Sequence, residues 1–276
     1  MNRNRHLVGR AQASLLAFAM VCLAAVGSWA GNVLEVGPGQ TYATIQAAVD
    51  AAQPGDAIRV HPSTYPESVT VTKSHVSILA EGDGVVVGPP PAAGKACFEL
   101  KADGVVIHGF SLTGTNCAPA IRFEGSYNRF SSNSIYGLTC PGVNGLACRA
   151  PKGGSNYNVI QDNDVTDADL GIVVGSDALN TVNKGNAITG NHVHGVGAVG
   201  IVVYNATETT IEGNVIEGVA FGMGISLSTL GGKVPQHSHV VAANKISYTA
   251  GDGIDIFADQ TCSLAKVVVS NNEIVS

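Results

Sequence analysis

The chain has little charge and very few aromatic side chains. Only 13% of its 276 residues are charged and 5% are aromatic, and the single tryptophan, Trp29, lies near the N-terminus. A disordered chain would be rich in charge and poor in apolar residues, whereas 45% of this one is hydrophobic. The sequence can therefore bury a core, but it has few rings on which a ligand could stack.

The first thirty residues have the composition of an export signal. Three arginines among the first ten residues precede an apolar run over residues 13–27, and Ser28 and Ala30 are the small residues that a signal peptidase recognises. A run of about 15 residues is short for a membrane span, which needs about 20. We expect residues 1–30 to be a cleaved signal peptide, and residues 31–276 to form one secreted or periplasmic domain.

Basic residues are scarce in the predicted mature chain. It keeps 12 basic and 21 acidic residues, a net charge of −9. This balance argues against nucleic acid as a partner, because binding it requires a basic face. No second long apolar run follows the signal, so no membrane association is expected. An anionic polysaccharide would be repelled unless a cation or local Arg and Lys side chains offset the field.

A repeated phrase organises the rest of the chain: an apolar residue, two others, Asn, any residue, then Ile or Val. Its asparagines, spaced 23 to 30 residues apart, are Asn133, Asn163, Asn191, Asn214, Asn244 and Asn272. A second phrase, a small residue followed by Ile, interleaves with it at Ala120, Gly171, Gly200, Gly224 and Gly253. Each repeat holds two or three short strands and cannot bury its apolar face alone. Stacked repeats would form a continuous core.

The asparagine has physical reasons to recur at one place. It tolerates the left-handed backbone of a tight turn, and its amide can bond to the amides of neighbouring coils in a ladder. A left-handed β-helix would show hexapeptide periods, and a leucine-rich repeat would show Leu-rich units; neither fits. The sequence predicts an all-β solenoid, a parallel β-helix.

A short helix is expected before the first coils. Ile45, Ala48, Val49 and Ala52 are spaced as one apolar helix face, and a Pro-Gly-Asp sequence follows. Such a helix would cap the open end of the solenoid. The last residue, Ser276, directly follows a repeat strand without a second cap. This indicates either a truncated chain or an edge covered by another chain.

Two segments carry a family resemblance. Tyr-Ala-Thr-Ile-Gln-Ala-Ala-Val at 42–49, Pro-Gly-Asp at 54–56 and Tyr-Pro-Glu-Ser-Val at 65–69 resemble the opening of pectin methylesterases. The Asn-x-Ile phrases resemble the repeat of the pectate-lyase-like superfamily. Together the resemblances cover residues 33–276 and imply a right-handed parallel β-helix. They imply less about activity, because one fold hosts many functions. The Gln-Asp-Asp-Arg catalytic pattern of the esterases is absent.

Five cysteines follow the predicted signal peptide: Cys97, Cys117, Cys140, Cys148 and Cys262. Export permits disulfides. Spacing favours one pair about a coil apart, Cys97 with Cys117, and one that brackets a loop, Cys140 with Cys148, although spacing alone does not determine connectivity. Cys262 is then left over and is predicted to be a buried free thiol.

Histidines form the first candidate site. In the aligned repeats His192 and His194 point from one face beside acidic residues of neighbouring coils. The functional interpretation is a general acid/base pair or a metal site, and the alternative is a pair of solvated residues. A separate His-x-His pair, His237 and His239, is a weaker metal candidate.

An acidic cluster forms the second candidate site, consisting of Asp162, Asp164, Asp167 and Asp169. Carboxylates in turns suit Ca²⁺, and Arg149 and Lys152 supply cations in the preceding turn. Lyases of the resembled superfamily use Ca²⁺ to neutralise a uronate carboxylate and a Lys or Arg to remove the C5 proton, so the resemblance implies these roles here. The alternative is a solvated acidic turn next to an ordinary loop.

Two functions remain open from the sequence. One is a secreted protein that binds or processes an acidic polysaccharide or cell-envelope glycan. Its most concrete form is a Ca²⁺-assisted polyuronide lyase, rather than a glycoside hydrolase or esterase. The other is a non-catalytic β-helix module for surface display, adhesion or envelope assembly. The resemblance favours the first function, and the missing tryptophan and fixed motifs favour the second.

Overall fold

The computed structural model describes residues 31–114, 118–138, 144–150, 154–176, 180–231, 233–259 and 262–275, with the backbone alone at 148–150. The predicted signal peptide lies outside these residues. Within them, three long parallel sheets form the walls of a solenoid. Successive strands pass from the ten-stranded to the nine-stranded to the eight-stranded sheet, and then begin the next coil. The predicted parallel β-helix is therefore confirmed.

The strands of the ten-stranded sheet are Val33–Val36, Ala57–Val60, Ser77–Ala80, Val106–His108, Arg129–Ser131, Val159–Gln161, Ala187–Thr189, Thr210–Glu212, Val240–Ala242 and Val268–Ser270. Those of the nine-stranded sheet are Ser63–Tyr65, Val85–Val87, Ser111–Thr113, Ser134–Tyr136, Asp164–Thr166, His192–His194, Val215–Val219, Lys245–Thr249 and Glu273–Val275. Those of the eight-stranded sheet are Val69–Val71, Phe98–Lys101, Ile121–Glu124, Asn144–Ala150, Leu170–Ser176, Val199–Tyr204, Met223–Thr229 and Ile254–Ala258. Two short pairs join Asn183–Lys184 to Ala206–Thr207 and Gln236–His237 to Leu264–Ala265.

Alternation along each strand sends one set of side chains inward and the other outward. Along the nine-stranded sheet, Val165, Val193 and Ile216 are completely buried. The residues on either side of them point outward. They form columns along the solenoid, because the register is kept from coil to coil. The apolar core thus runs along the solenoid axis, and a residue's neighbours in space lie one coil away in sequence.

The predicted asparagine ladder is present. Asn191 Nδ2 lies 3.0 Å from Asn214 Oδ1, and Asn163 Nδ2 lies 2.9 Å from Asn191 Oδ1. The ladder asparagines from Asn133 to Asn244 are buried, so these amides satisfy one another where water cannot.

The predicted left-handed backbone of the ladder asparagines is wrong. None of the six has a positive φ, whereas each residue directly before them does: Ser132, Asp162, Gly190, Gly213, Ala243 and Asn271. The preceding residue makes the tight turn, and the asparagine side chain then points inward to bridge the coils. Its recurrence is explained by hydrogen bonding rather than by backbone freedom.

The small residue of the second phrase is needed for close packing between coils. A Cβ added to Gly200 would lie 2.6 Å from the carbonyl oxygen of Gly224 and 2.6 Å from a methyl carbon of Ile216. Gly171 has the same relation to Gly200, at 2.5 Å from its carbonyl oxygen. Real Cβ atoms do not approach so closely, so these two positions require glycine.

A second ladder, formed by residues that directly precede the strands of the ten-stranded sheet, was not predicted. Asn158 Nδ2 lies 3.0 Å from Asn186 Oδ1, and Asn158 Oδ1 accepts a hydrogen bond from Asn128 N at 2.9 Å. In later coils Thr209 and His239 occupy this column, with His239 Nδ1 lying 3.4 Å from Thr209 N. The available signal was a polar residue two places before the apolar residue that opens each repeat.

The predicted capping helix is Ile45–Ala51, with Ala52 as its C-terminal cap. Thr44 accepts a hydrogen bond from Ala47 N at 3.2 Å. Side chains from the following coil form hydrogen bonds with the backbone at both ends of the helix. The Glu67 carboxylate accepts from the first two backbone N–H groups, and Lys73 Nζ donates to two carbonyl oxygens at the other end. Each charge has the sign that the helix dipole favours.

No helix in the described part of the chain is long and apolar enough to cross a membrane.

The predicted Cys97–Cys117 disulfide is not formed. Cys97 is a free thiol in the core, where its Sγ donates to the carbonyl oxygens of Val87 and Thr113 at 3.4 Å. Burial raises the pKa of the Cys97 thiol to about 12. Cys117 lies outside the described residues.

The other cysteines give a mixed outcome. Cys262 is also free, but it is partly exposed rather than buried. The side chains of Cys140 and Cys148 lie outside the described residues, so their pairing stays a prediction.

Candidate functional site

Three consecutive strands of the nine-stranded sheet bring two histidines and two carboxylates together. Asp164 is paired with His192 in one outward column, and His194 is paired with Glu217 in the next. Their side chains are between a third and a half exposed. We call Asp164, His192, His194 and Glu217 the histidine cluster. It lies on an open face, within reach of a dissolved ligand.

The central contact of the histidine cluster is made by one carboxylate oxygen. Asp164 Oδ1 lies 3.0 Å from His192 Nδ1 and 3.2 Å from His194 Nε2. The two imidazole rings are stacked, with their centroids 4.4 Å apart and their planes 22° apart. Asp164 Oδ1 is shielded from solvent, yet it accepts no hydrogen bond from the described residues. The three atoms are therefore close without being aligned for hydrogen bonding.

Glu217 holds the other side of His192. Its Oε1 lies 2.9 Å from His192 Nε2, within hydrogen-bond distance. Because a carboxylate only accepts, a neutral His192 that donates its Nε2–H to Glu217 has a lone pair on Nδ1. Asp164, His192 and His194 offer three potential metal-ligating atoms that lie within 4.8 Å of one another.

The remaining predicted acidic residues are dispersed. Asp162 lies in the turn before the strand and accepts a hydrogen bond from Gln161 Nε2 at 2.9 Å. Asp167 lies after the strand, where its Oδ2 accepts from Gly137 N at 3.3 Å. Asp169 lies just before the next strand, of the eight-stranded sheet. Among the described residues, Asp164 is the member of this set that joins a group able to hold a metal ion.

Of the two predicted cations, only the Arg149 backbone lies within the described residues. The Arg149 backbone belongs to the eight-stranded sheet, where it pairs with Gly175, whereas Asp164 belongs to the nine-stranded sheet. The Arg149 side chain and the whole of Lys152 lie outside the described residues. Their proposed catalytic roles stay predictions.

A second ion cluster, not anticipated from the sequence, lies near the N-terminal end of the ten-stranded sheet. His61 Nε2 lies 2.7 Å from Glu35 Oε2, and His61 Nδ1 lies 3.0 Å from Glu81 Oε2. Arg59 lies 3.3 Å from the Glu35 carboxylate. Both His61 nitrogens face carboxylates and an arginine adds positive charge, so the arrangement is a closed ion network. The signal available in the sequence was the in-register pair of Glu35 and Arg59.

The His-x-His pair is split by the fold. His239 is buried in the second ladder, and burial lowers its pKa to about 4. His237 is exposed, and its Nδ1 lies 3.0 Å from Ser238 Oγ. One imidazole is therefore buried in the ladder and the other is exposed to solvent, so the two do not form one site.

Comparisons with known proteins agree with this architecture. The family model described as "Right handed beta helix region" matches residues 56–234 and 119–276. The comparison with curated proteins gave no match.

Several solved structures are similar in fold. A pectin methylesterase from Aspergillus niger is 14% identical, with 88% of this chain and 85% of that chain covered and a TM-score of 0.57. An alginate lyase from Paenibacillus sp. is 15% identical, with 87% and 99% covered and a TM-score of 0.53. The pectate lyase Pel9A is 15% identical, with 88% and 78% covered and a TM-score of 0.57. At these identities the likeness shows a shared fold.

Proposed function

This chain belongs to the right-handed β-helix family, and on that premise we propose that it is an exported protein that binds and processes an acidic polysaccharide. The observation that carries the proposal is the histidine cluster, in which three consecutive coils bring two imidazoles and two carboxylates to one open face. Imidazole is the side chain whose protonation changes most readily near neutral pH. The signal-like composition of residues 1–30 supports export to the periplasm or the medium.

The similar structures support an acidic sugar polymer as the substrate class. They are named for pectin, alginate and pectate, which are polymers rich in uronic acid. Each coil advances by about 4.8 Å along the solenoid axis. A polysaccharide lying along the nine-stranded sheet would therefore cross the outward columns coil by coil.

β-Elimination is the reaction that this face fits best. A base removes the proton from C5. The electron pair of the C5–H bond forms the C4–C5 double bond, and O4 leaves and takes up a proton. The uronate carboxylate must first be neutralised, because Asp164 and Glu217 would otherwise repel it. Positive charge at the histidine cluster, from a bound cation or from imidazolium, meets this requirement.

Lys245 is the proton acceptor in this proposal. It follows Asp164, His192 and Val215 in the same outward column and is exposed. Two coils separate it from His192, a distance of about 10 Å. A uronate held at the histidine cluster would therefore lie within reach of the long lysine side chain, which can act as a base in its neutral form.

The test is a panel of polyuronides incubated with the purified protein, with unsaturated product followed by absorbance and binding followed by calorimetry. We expect product from at least one polymer, and loss of product with retained binding in Lys245→Met. Lys266→Met is the matched control, since Lys266 is an exposed lysine in a turn after a strand that does not belong to the nine-stranded sheet. Binding without product from any polymer would instead support a non-catalytic module. Absence of binding to every polymer would overturn the proposal.

A further inference from the structure

We propose that Asp164, His192 and His194 bind one divalent first-row transition-metal ion, and that Glu217 orients His192 as a ligand. The use of this ion to receive a uronate rests on the proposed function, whereas the binding of the ion does not.

The two separations between the Asp164 oxygen and the histidine nitrogens fit a small ion. Zn²⁺ binds imidazole nitrogen and carboxylate oxygen at about 2.0–2.2 Å. Ligand atoms at that radius, separated by angles from 90° to tetrahedral, lie about 3.0–3.4 Å apart. Asp164 Oδ1 lies 3.0 Å from His192 Nδ1 and 3.2 Å from His194 Nε2. All three atoms lie within 4.8 Å of one another, so one ion placed between them could contact all three.

Hydrogen bonding does not account for these short distances. Asp164 Oδ1 is shielded from water and accepts no hydrogen bond within the described part of the chain. A shielded carboxylate oxygen that accepts no hydrogen bond costs free energy. A cation placed between Oδ1 and the two imidazole nitrogens would satisfy it.

Glu217 completes an arrangement that is common around metal ions. Histidine ligands usually give their second ring N–H to a carboxylate or carbonyl, which fixes the tautomer and the ring orientation. His192 Nε2 lies 2.9 Å from Glu217 Oε1. The His192 nitrogen that faces Asp164 is thereby left with the lone pair that a metal ligand requires.

The donor atoms select the class of ion. Two imidazole nitrogens and one carboxylate oxygen suit Zn²⁺, Mn²⁺ and related first-row ions. Ca²⁺ takes six to eight oxygen ligands, which three dispersed aspartates and two histidines do not supply. Three protein ligands also leave coordination positions open, so a uronate carboxylate could complete the shell of the ion.

The ion network near the N-terminal end provides an internal comparison. There Arg59 adds one positive charge beside the two glutamates around His61. At the histidine cluster, the ion pairs of Asp164 and Glu217 within the described residues are with histidines. The positive charge that Arg59 supplies in the network is the charge that a metal ion would supply at the cluster.

The experiment is calorimetric titration of the tag-free, chelator-treated protein with Zn²⁺, Mn²⁺ and Ca²⁺, with thermal unfolding to verify the fold of each variant. We expect one Zn²⁺ per chain, at least tenfold weaker binding in His194→Ala and in Asp164→Asn, and unchanged binding in His237→Ala and His61→Ala. An equal excess of Ca²⁺ should not displace the ion. Absence of Zn²⁺ binding, or binding that His194→Ala and Asp164→Asn leave unchanged, would overturn the inference.

The Zn²⁺ titration and the polyuronide assay on the same purified protein distinguish this inference from the proposed function. Zn²⁺ binding that depends on the cluster, without product from any polyuronide, would leave the metal site standing and remove the processing function. Product that forms equally well after chelation would support the function and remove the ion from it.

Discussion

His192 Nε2 lies 2.9 Å from Glu217 Oε1 on the adjoining coil, while His192 Nδ1 lies 3.0 Å from Asp164 Oδ1 on the coil before. One imidazole thus spans three coils of the solenoid. In a neutral imidazole the two contacts differ in kind, because a hydrogen bond from Nε2–H to Glu217 leaves a lone pair on Nδ1 facing Asp164. The geometry of a single histidine therefore connects the regularity of the fold to the chemistry of its surface.

Replacement of Glu217 tests this relationship. We expect Glu217→Ala to weaken Zn²⁺ binding by about 10- to 100-fold, because loss of the carboxylate frees the orientation and the tautomer of His192. Glu217→Gln should fall between the wild type and Glu217→Ala, since its amide oxygen can still accept from Nε2. Competition with a chromophoric chelator measures the affinities. Glu212→Ala, an exposed glutamate of the same coil, is the control, and an equal loss there would contradict the assigned role.

The asparagines of the ladder should contribute unequally to the free energy of unfolding, with buried rungs contributing more than the last one. Asn191→Ala removes the acceptor of the Asn163 backbone N–H and the donor to the carbonyl oxygen of Ile160, both in a buried place. The side-chain amides of Asn163 and Asn214 keep other partners. We expect a loss of about 3 kcal/mol or more in the free energy of unfolding, since each unsatisfied buried group costs about 1–3 kcal/mol. Urea unfolding measures it. Asn272→Ala, at the last rung and partly exposed, should cost less, and equal losses would show that burial does not set the cost.

His239 should make stability depend on pH. Burial lowers its pKa from 6.5 to about 4 in the folded protein, so between these values the unfolded chain binds a proton that the folded chain does not. Stability therefore falls as the pH drops through this range, and His239 accounts for about 2 kcal/mol between pH 7 and pH 5.

The matched variant is His239→Asn, because asparagine occupies the same column in earlier coils, as at Asn158 and Asn186. The difference in unfolding free energy between the variant and the wild type should shift in favour of the variant by about 2 kcal/mol at the lower pH. Urea unfolding at both pH values measures this difference. A difference that is independent of pH would show that His239 is not the titrating group.

Sequence reasoning was most successful where each coil repeats the same physical problem. The spacing from Asn163 to Asn191 is one coil, and the ladder and the parallel strands follow from such repeats. It was less successful where one turn differs from another. Ser132 and Asp162 are the residues in the left-handed region, and their side chains have no common chemistry that would have marked the position. The free thiol of Cys97 likewise depends on a local pocket in the core.

The sequence by itself determined the period, the inward and outward faces, and the columns that place His192 and His194 on one side, because strand alternation and repeat length are local properties. Only the tertiary structure decided which charges meet. Arg149 and Asp164 are close in sequence but belong to different sheets, whereas Asp164, His192 and Glu217 are far apart in sequence and in contact. In a solenoid, contact between side chains depends on the register of neighbouring coils, because each coil packs on the next while consecutive strands of one coil face different directions.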